Sequence, residues 1–294
     1  MSRDAGEPPR DDDDARPSDP PDDGDVETGA EEDISALGLR VADAFRSGPF
    51  DAPAPSLRAR ILSRARLAPF SSVRQSEGIW LPAAGAPVAT KELYCDSSDR
   101  LATRLVRIAA GHPFRGAPLK VECSYYIVDG EIRSAAWTEP CVSGDVILAM
   151  DAENDVTALR ETLLLEFTRR RAVRTRDATK TIHSDERIVR ARDRPWLWFA
   201  DGIEISPLKI HEQVETLIIF RFSPGSLLDD HEHQGVEELY VLSGSCVVEE
   251  ELLVRGDYHR ASNGTVHATA RSKEDGCTLL VSLRKLEPMS ATST

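Results

Sequence analysis

The sequence predicts an all-β protein, a sandwich or barrel, preceded by a disordered acidic tail and two short helices. Three observations carry this. From about residue 78 onward short β-branched and apolar runs recur between Gly, Pro, Asp and Asn: ATRLVRIAA, CSYYIVDG, DVILAM, ETLLLEF, ETLIIFRF, EELYVLSG and CTLLVSL. Strands at that spacing with turn residues between them form sheet-on-sheet or closed-sheet architectures. Helical periodicity of useful length is absent from this region. The first 35 residues, by contrast, hold 14 acids against 3 arginines and are rich in Pro, Gly and Asp. They carry too little apolar surface to offset their ordering entropy.

The net charge of −14 therefore belongs to this tail, and the remaining chain is near neutral at about −3. Two helical stretches follow. In ALGLRVADAFR, Leu37, Val41 and Phe45 recur at four-residue spacing. After a Pro/Gly break, Ser56 can cap SLRARILSRARL, whose Leu57, Ile61 and Leu62 form an apolar stripe among Arg58, Arg60, Arg64 and Arg66. An arginine-bearing helix in an acidic chain reads as a docking element. No helix-turn-helix pairing or aromatic-interleaved basic stripe accompanies it, so direct nucleic-acid binding is not expected.

No apolar run is long enough to cross a bilayer, and the start MSRDAGEPPRDDDD lacks the apolar core of a secretion signal. A cytoplasmic protein with no membrane partner is the expectation. Cys95, Cys123, Cys141, Cys246 and Cys277 are scattered, odd in number and never in a CxxC pair. They read as reduced, mostly buried side chains rather than a disulfide framework or a thiolate zinc site.

The chemistry concentrates in GSLLDDHEHQGVEELYVLSG, residues 225–244, with the spacing G-x5-H-x-H-x3-E-x6-G. In an extended chain residues i and i+2 point to one side, so His231 and His233 can converge. On the following strand Glu237, Leu239 and Val241 share one face, and Glu238 and Tyr240 share the other; Glu238 competes with Glu237 for the role of ligand. Thirty residues on, GDYHRASNGTVH supplies His267 just after a glycine turn. Three imidazoles and a carboxylate form a mixed N/O donor set. Such a set suits one divalent transition metal, with zinc or iron first and manganese, nickel or cobalt next, rather than Ca or Mg.

These two motifs resemble those of the cupin superfamily, whose fold is a small double-stranded β-helix or jelly roll. Within it, residues 196–284 look like the ChrR-type cupins, on Pro224-Gly225, the stretch from His231 to Glu238, Val241 to Gly244, Gly256-Asp257-Tyr258 and Gly276-Cys277. The resemblance implies that His231, His233, Glu237 and His267 are metal ligands. Ser262 stands where the second motif usually has proline, and Arg271 where some cupins have asparagine. Neither is a ligand.

An internal repeat is then visible. Gly111 and Gly130 have the separation of Gly225 and Gly244, and Gly144-Asp145 matches Gly256-Asp257. Trp80 and Lys91 are spaced like Trp198 and Lys209. The first copy has Ala117, Leu119, Cys123 and Asp155 at the ligand positions, which cannot hold a metal. The expectation is two tandem cupin barrels, the first degenerate. The predicted segments are a tail at 1–35, a helical segment at 36–70, a metal-free barrel at 76–170, a basic linker at 171–193, a metal-binding barrel at 194–286 and a flexible end at 287–294. His112 and Glu122 read as surface residues.

ChrR-type proteins are anti-sigma factors, in which an N-terminal zinc-binding helical domain grips a sigma factor and the cupin domain serves the response to singlet oxygen or related stress. The resemblance therefore implies a regulatory protein whose partner is a sigma factor or another regulatory protein. This chain has no histidine before His112 and no cysteine before Cys95, so the anti-sigma zinc motif is missing. The alternative is an enzyme, because other ChrR-like cupins resemble acetylacetone-cleaving dioxygenases that act on small dicarbonyl ligands. Tyr240, His259, His211 and Cys277 are candidates to surround the site. Cupins commonly pair by sheet edges, so a homodimer is expected.

Overall fold

The computed structural model describes residues 69–82, 87–96, 101–115, 121–148, 155–170, 187–211, 215–233, 235–267 and 269–285. The acidic tail, both anticipated helices and residues 171–186 of the anticipated linker lie outside them. Among the described residues no helix is long and apolar enough to cross a membrane.

A first strand, β1 (Phe70–Val73), precedes two β units. The first unit comprises β2 (Leu81–Pro82), β3 (Val88–Cys95), β4 (Leu101–Ile108), β5 (Pro113–Arg115), β6 (Val121–Asp129), β7 (Glu131–Ser134), β8 (Cys141–Val142), β9 (Val146–Leu148), β10 (Asp155–Ala158) and β11 (Thr162–Arg170). Between the units lies β12 (Ile188–Val189). The second comprises β13 (Leu197–Ala200), β14 (Ile203–His211), β15 (Glu215–Phe222), β16 (Leu227–Leu228), β17 (His231–Glu232), β18 (Val236–Val248), β19 (Glu251–Val254), β20 (Tyr258–Ala261), β21 (Val266–His267) and β22 (Ala270–Arg284).

The two large sheets have the same strand order. One runs β12-β9-β6-β11-β4-β3-β2, and the other β1-β20-β18-β22-β15-β14-β13, with β16 and β19 attached to its long strands. Smaller sheets close each unit: β5-β10-β7-β8 in the first and β17-β21 in the second. Each pairing in the large sheets is antiparallel. This is the jelly-roll arrangement of the cupin fold.

The ends of the two sheets are exchanged. β1 precedes the first unit but pairs with β20 of the second, Phe70 opposite Ala261 and Val73 opposite Tyr258. β12, inside the stretch expected to be linker, pairs with β9 of the first. An aspartate fastens each exchanged strand. Asp257 accepts from Arg74 Nη1 (2.9 Å) and the Gln75 amide (2.8 Å), and Asp145 accepts from Arg190 Nη1 (3.0 Å) and the Ala191 amide (2.8 Å).

Three apolar cores explain why the strands read as near-continuous hydrophobic runs. In ETLIIFRF the alternate residues Ile218, Phe220 and Phe222 fill the second barrel, while Leu217 and Ile219 face a core shared by the two units. In the first unit Cys123, Tyr125 and Ile127 point inward, and Tyr126 joins the shared core beside Leu165, Tyr240 and Leu280. A strand buried on both faces loses the polar alternation of an exposed sheet. The shared core also joins the two β units in one compact body.

Two glycines of the repeat are structurally required. Gly244 has φ +69°, and a Cβ there would lie 2.1 Å from Gly276 O. Gly130 has φ +115°, and a Cβ there would lie 2.5 Å from the Thr162 Cα. The tryptophan and lysine correspondences, however, differ from those read by spacing. Arg107 lies over the Trp80 ring at 4.1 Å and Arg221 over Trp196 at 4.0 Å, so Trp196, not Trp198, is the counterpart of Trp80. Lys91 pairs with Leu105 as Ser206 pairs with Ile219, whereas Lys209 lies past the bulge, opposite Leu217. The ladder sets the register, and the eleven-residue spacing is a coincidence of loop length.

Candidate metal centre

The centre is built where the small β17-β21 ladder meets the start of β18. That ladder sets His231 directly opposite His267. His233 follows β17 and is held by its backbone, its amide donating to Thr265 O (2.9 Å) and its carbonyl accepting from the Gly264 amide (2.8 Å). Glu237 enters as the second residue of β18, opposite Ala261 on one side and Leu283 on the other. One donor atom from each of His231, His233, Glu237 and His267 lies within 4.8 Å of every other. Two donors bound to one ion at about 2.1 Å are at most about 4.2 Å apart, so a shared ion would draw the four atoms together.

The remote nitrogens of two imidazoles are committed elsewhere. His231 Nδ1 lies 3.0 Å from Asp229 O, a carbonyl that can only accept, so Nδ1 carries the proton and Nε2 is bare. His233 Nδ1 lies 2.9 Å from Thr265 Oγ1, whose own hydrogen is donated to Ser262 O at 2.7 Å. His233 therefore donates through Nδ1. Its Nε2 is buried with no hydrogen-bond partner, 3.3 Å from Glu237 Oε1. An orphaned buried acceptor beside a buried carboxylate fits a metal, because the ion is the partner both lack.

Where the imidazoles are protonated instead, burial pushes the Glu237 carboxyl up, but the His233 charge and hydrogen bonds from His231, His233 and His267 outweigh it and hold it well below the usual range, so that without an ion protons stand between the four side chains. His231 keeps 15% of its side chain exposed, while the other three ligand side chains are 1–3% exposed. Solvent therefore reaches the centre along the His231 edge.

The far side is closed by His259 and by β1. His259 Nε2 lies 3.3 Å from His267 Nε2, and Phe70 stacks on His267 at 5.2 Å and on His259 at 5.8 Å. Burial first, and then the neighbouring His267, push the His259 imidazole down to about 4. His259 is thus neutral over the physiological range.

The structure separates the two adjacent glutamates. Glu238 points to the opposite face of β18, where Arg284, Thr103 and Tyr258 hydrogen-bond it in a wholly buried cluster. Of the other candidates whose side chains are described, only His259 adjoins the cluster. Tyr240 lies in the shared core, Cys277 packs in the second barrel core, and the His211 side chain is outside the described set. Glu122, expected at the surface, forms an ion pair across the two units with Lys209 (2.9 Å), while His112 is exposed. In the first unit Cys123 holds the place of Glu237 and is fully buried. Ala117 and Leu119 lie outside the described residues, and among the described residues no second cluster of three potential ligands occurs.

Sequence reasoning missed Thr265, Phe70, Ser72 and Glu251. Thr265 carried a local signal, being a hydroxyl two residues before His267. The others approach only through the exchanged strand or the β19 hairpin.

Residues 184–287 match the family described as the ChrR Cupin-like domain. No curated protein matches the chain. Among solved structures it is similar to a putative glyoxylate-induced protein of Pseudomonas aeruginosa, at 12% identity and a TM-score of 0.63, over 85% of this chain and 97% of that one. It is similar to a putative dioxygenase of Nostoc punctiforme, at 15% identity and a TM-score of 0.57, over 76% and 86% of the two chains. A variant of Bacillus subtilis oxalate decarboxylase matches at 10% identity and a TM-score of 0.51, over 73% and 77%. At these identities the likenesses carry the fold alone. Residues 184–287 thus match a ChrR Cupin-like domain, and the chain shares its fold with these solved structures.

Proposed function

We propose that the protein is a metal-binding regulatory cupin of the ChrR type, acting on stress-linked transcription through a sigma factor that its N-terminal segment meets. The observation that carries this reading is the cover on the centre. Phe70, on the strand that directly follows residues 36–69, lies against a ligand imidazole. A partner gripping that segment would have a short mechanical path to the metal site. The match of residues 184–287 to a ChrR Cupin-like domain supports the same class. A divalent ion held by His231, His233, Glu237 and His267 would supply Lewis acidity and a rigid template for three segments of chain.

A second reading, a dioxygenase acting on a small dicarbonyl, is favoured by the solvent-facing His231 edge, through which a ligand could approach. In that reading Phe70 and His259 exclude water from the far side of the centre. Metal analysis of the purified protein, O2 uptake with small diketones, and affinity capture of a co-expressed sigma factor separate the two. Zinc, no turnover and sigma capture are the expected results. Iron with turnover that is lost in His231→Ala would overturn the regulatory reading.

A further inference from the structure

We propose that Ser72, on the exchanged strand, and His259 are positioning residues of the metal centre: a hydrogen-bond relay through them holds His267 in the one tautomer that can ligate a metal. The inference rests on the metal reading of the four-residue cluster and assigns it two further residues, one of them outside the second β unit.

The relay runs inward from the surface. Glu251 is paired with Arg74, whose Nη2 lies 2.7 Å from Oε1, so its carboxylate can only accept. Ser72 Oγ hydrogen-bonds Glu251 Oε2 and must be the donor. With its one hydrogen spent, Ser72 Oγ accepts at its second contact, His259 Nδ1 at 2.9 Å. His259 therefore carries its proton on Nδ1, and in a neutral imidazole Nε2 is then an acceptor. That Nε2 faces His267 Nε2 at 3.3 Å, so His267 donates through Nε2. His267 Nδ1 is left bare, 3.3 Å from Glu237 Oε1 and inside the cluster.

The outcome matches the other two imidazoles. His231 and His233 also donate through the remote nitrogen and turn a lone pair to the centre. For those two the acceptors are Asp229 O and Thr265 Oγ1, close in sequence. For His267 the anchor is Ser72, 195 positions away by residue number. Phe70 stacks on both rings and limits their rotation. Partners beyond the ligand set the tautomer and basicity of metal-bound histidines, and their loss typically costs about 10–100-fold in metal affinity.

The test uses metal-stripped full-length protein titrated with Co2+ against a chromophoric chelator, with the visible ligand-field bands recorded. Ser72→Ala and His259→Phe, the latter keeping a ring beside Phe70, are expected to weaken Co2+ binding by about 10–100-fold and to shift the bands. Ser72→Thr is expected to restore both. Ser71→Ala, which removes the Arg260 contact on the same strand (3.2 Å), is expected to leave both unchanged, so loosening of the strand alone does not mimic the effect. Wild-type affinity and bands in Ser72→Ala and His259→Phe would overturn the relay while leaving the metal reading intact. A wild-type protein that binds no Co2+ would overturn both.

Discussion

In the first β unit Asp145 fastens Arg190 and the Ala191 amide, and in the second Asp257 fastens Arg74 and the Gln75 amide. Trp80 under Arg107 and Trp196 under Arg221 repeat as closely. Inside the barrels the likeness ends. Where the second has Glu237 among three histidines, the first has Cys123, followed inward by Tyr125 hydrogen-bonded to Glu166 at 2.9 Å. Burial pushes the Glu166 carboxyl up despite that bond and nearby Arg104. Toward the shared core the second unit again holds buried charge, the Glu238–Arg284 pair, where the first has Ser124 and Arg169. Fastenings that hold the exchanged strands are common to both units, while the ionisable interior belongs to each separately.

The two units should differ most at Arg284, which is fully buried. Arg284→Met leaves Glu238 charged without its partner and is expected to cost about 3–5 kcal/mol in denaturant unfolding. The double change with Glu238→Leu should recover most of that loss. Arg169→Met, at the matching place in the first unit, should cost less than about 1 kcal/mol. Equal losses at the two arginines would mean the units are not asymmetric in this way.

Metal removal comes next. With metal at about a hundred times its dissociation constant, chelation is expected to remove about 2.7 kcal/mol. In a two-unit body of this size that lowers the melting temperature by roughly 5–11 °C. Cys123→Ala should leave the chelation shift intact and Glu237→Ala should abolish it, as read by calorimetry with and without chelator.

Acid should act on the second unit before the first. In the chelated protein His259 sits at about 4 against an unfolded value near 6.5, so between these pH values the unfolded chain binds a proton that the folded chain refuses. Its stabilising contribution is present above pH 6.5 and lost as pH falls toward 4, about 2 kcal/mol between pH 7 and pH 5. Glu237, held below its ordinary value, adds a loss in the same direction at lower pH. Denaturant melts of His259→Phe across this range should show a flatter slope. An unchanged slope would remove His259 as the cause.

The smallest effect separates the two tryptophans. Trp198 is 72% exposed, and its change to Ser should fall within about 0.5 kcal/mol. Trp196→Ala removes the ring beneath Arg221 and should cost about 1 kcal/mol, as should Trp80→Ala in the first unit. The reverse ranking would restore the correspondence read from spacing alone.

The meeting of His231, His233 and Glu237 in one cluster was legible because its geometry is local. His231 and His233 need only an extended chain, and Glu237 and Glu238 separate by strand alternation, which the pattern announces before any fold is known. The all-β class was legible for the same reason, in runs such as ETLIIFRF. What was not legible depends on pairing between distant segments. Nothing in FSSV announces that it completes the sheet of the second unit, or that Ser72 meets His259. The lysine register failed similarly, since bulges at Glu92/Tyr94 and Pro207/Lys209 shift alignments that raw spacing cannot follow. Residues 36–67, read as helices, fall outside the described residues.

The exchanged ends also dictate when the molecule can be finished. On a ribosome β1 emerges early but waits roughly 190 residues for β20, which at 5–20 residues per second is about 10–40 s. The open edge of β9 waits only about 40 residues for β12. The first unit can therefore close its sheet during synthesis, while the second acquires its last strand from the oldest part of the nascent chain. Contacts of such long separation slow folding, and an unpaired β20 edge in the interval is where a chaperone or a second nascent chain would bind.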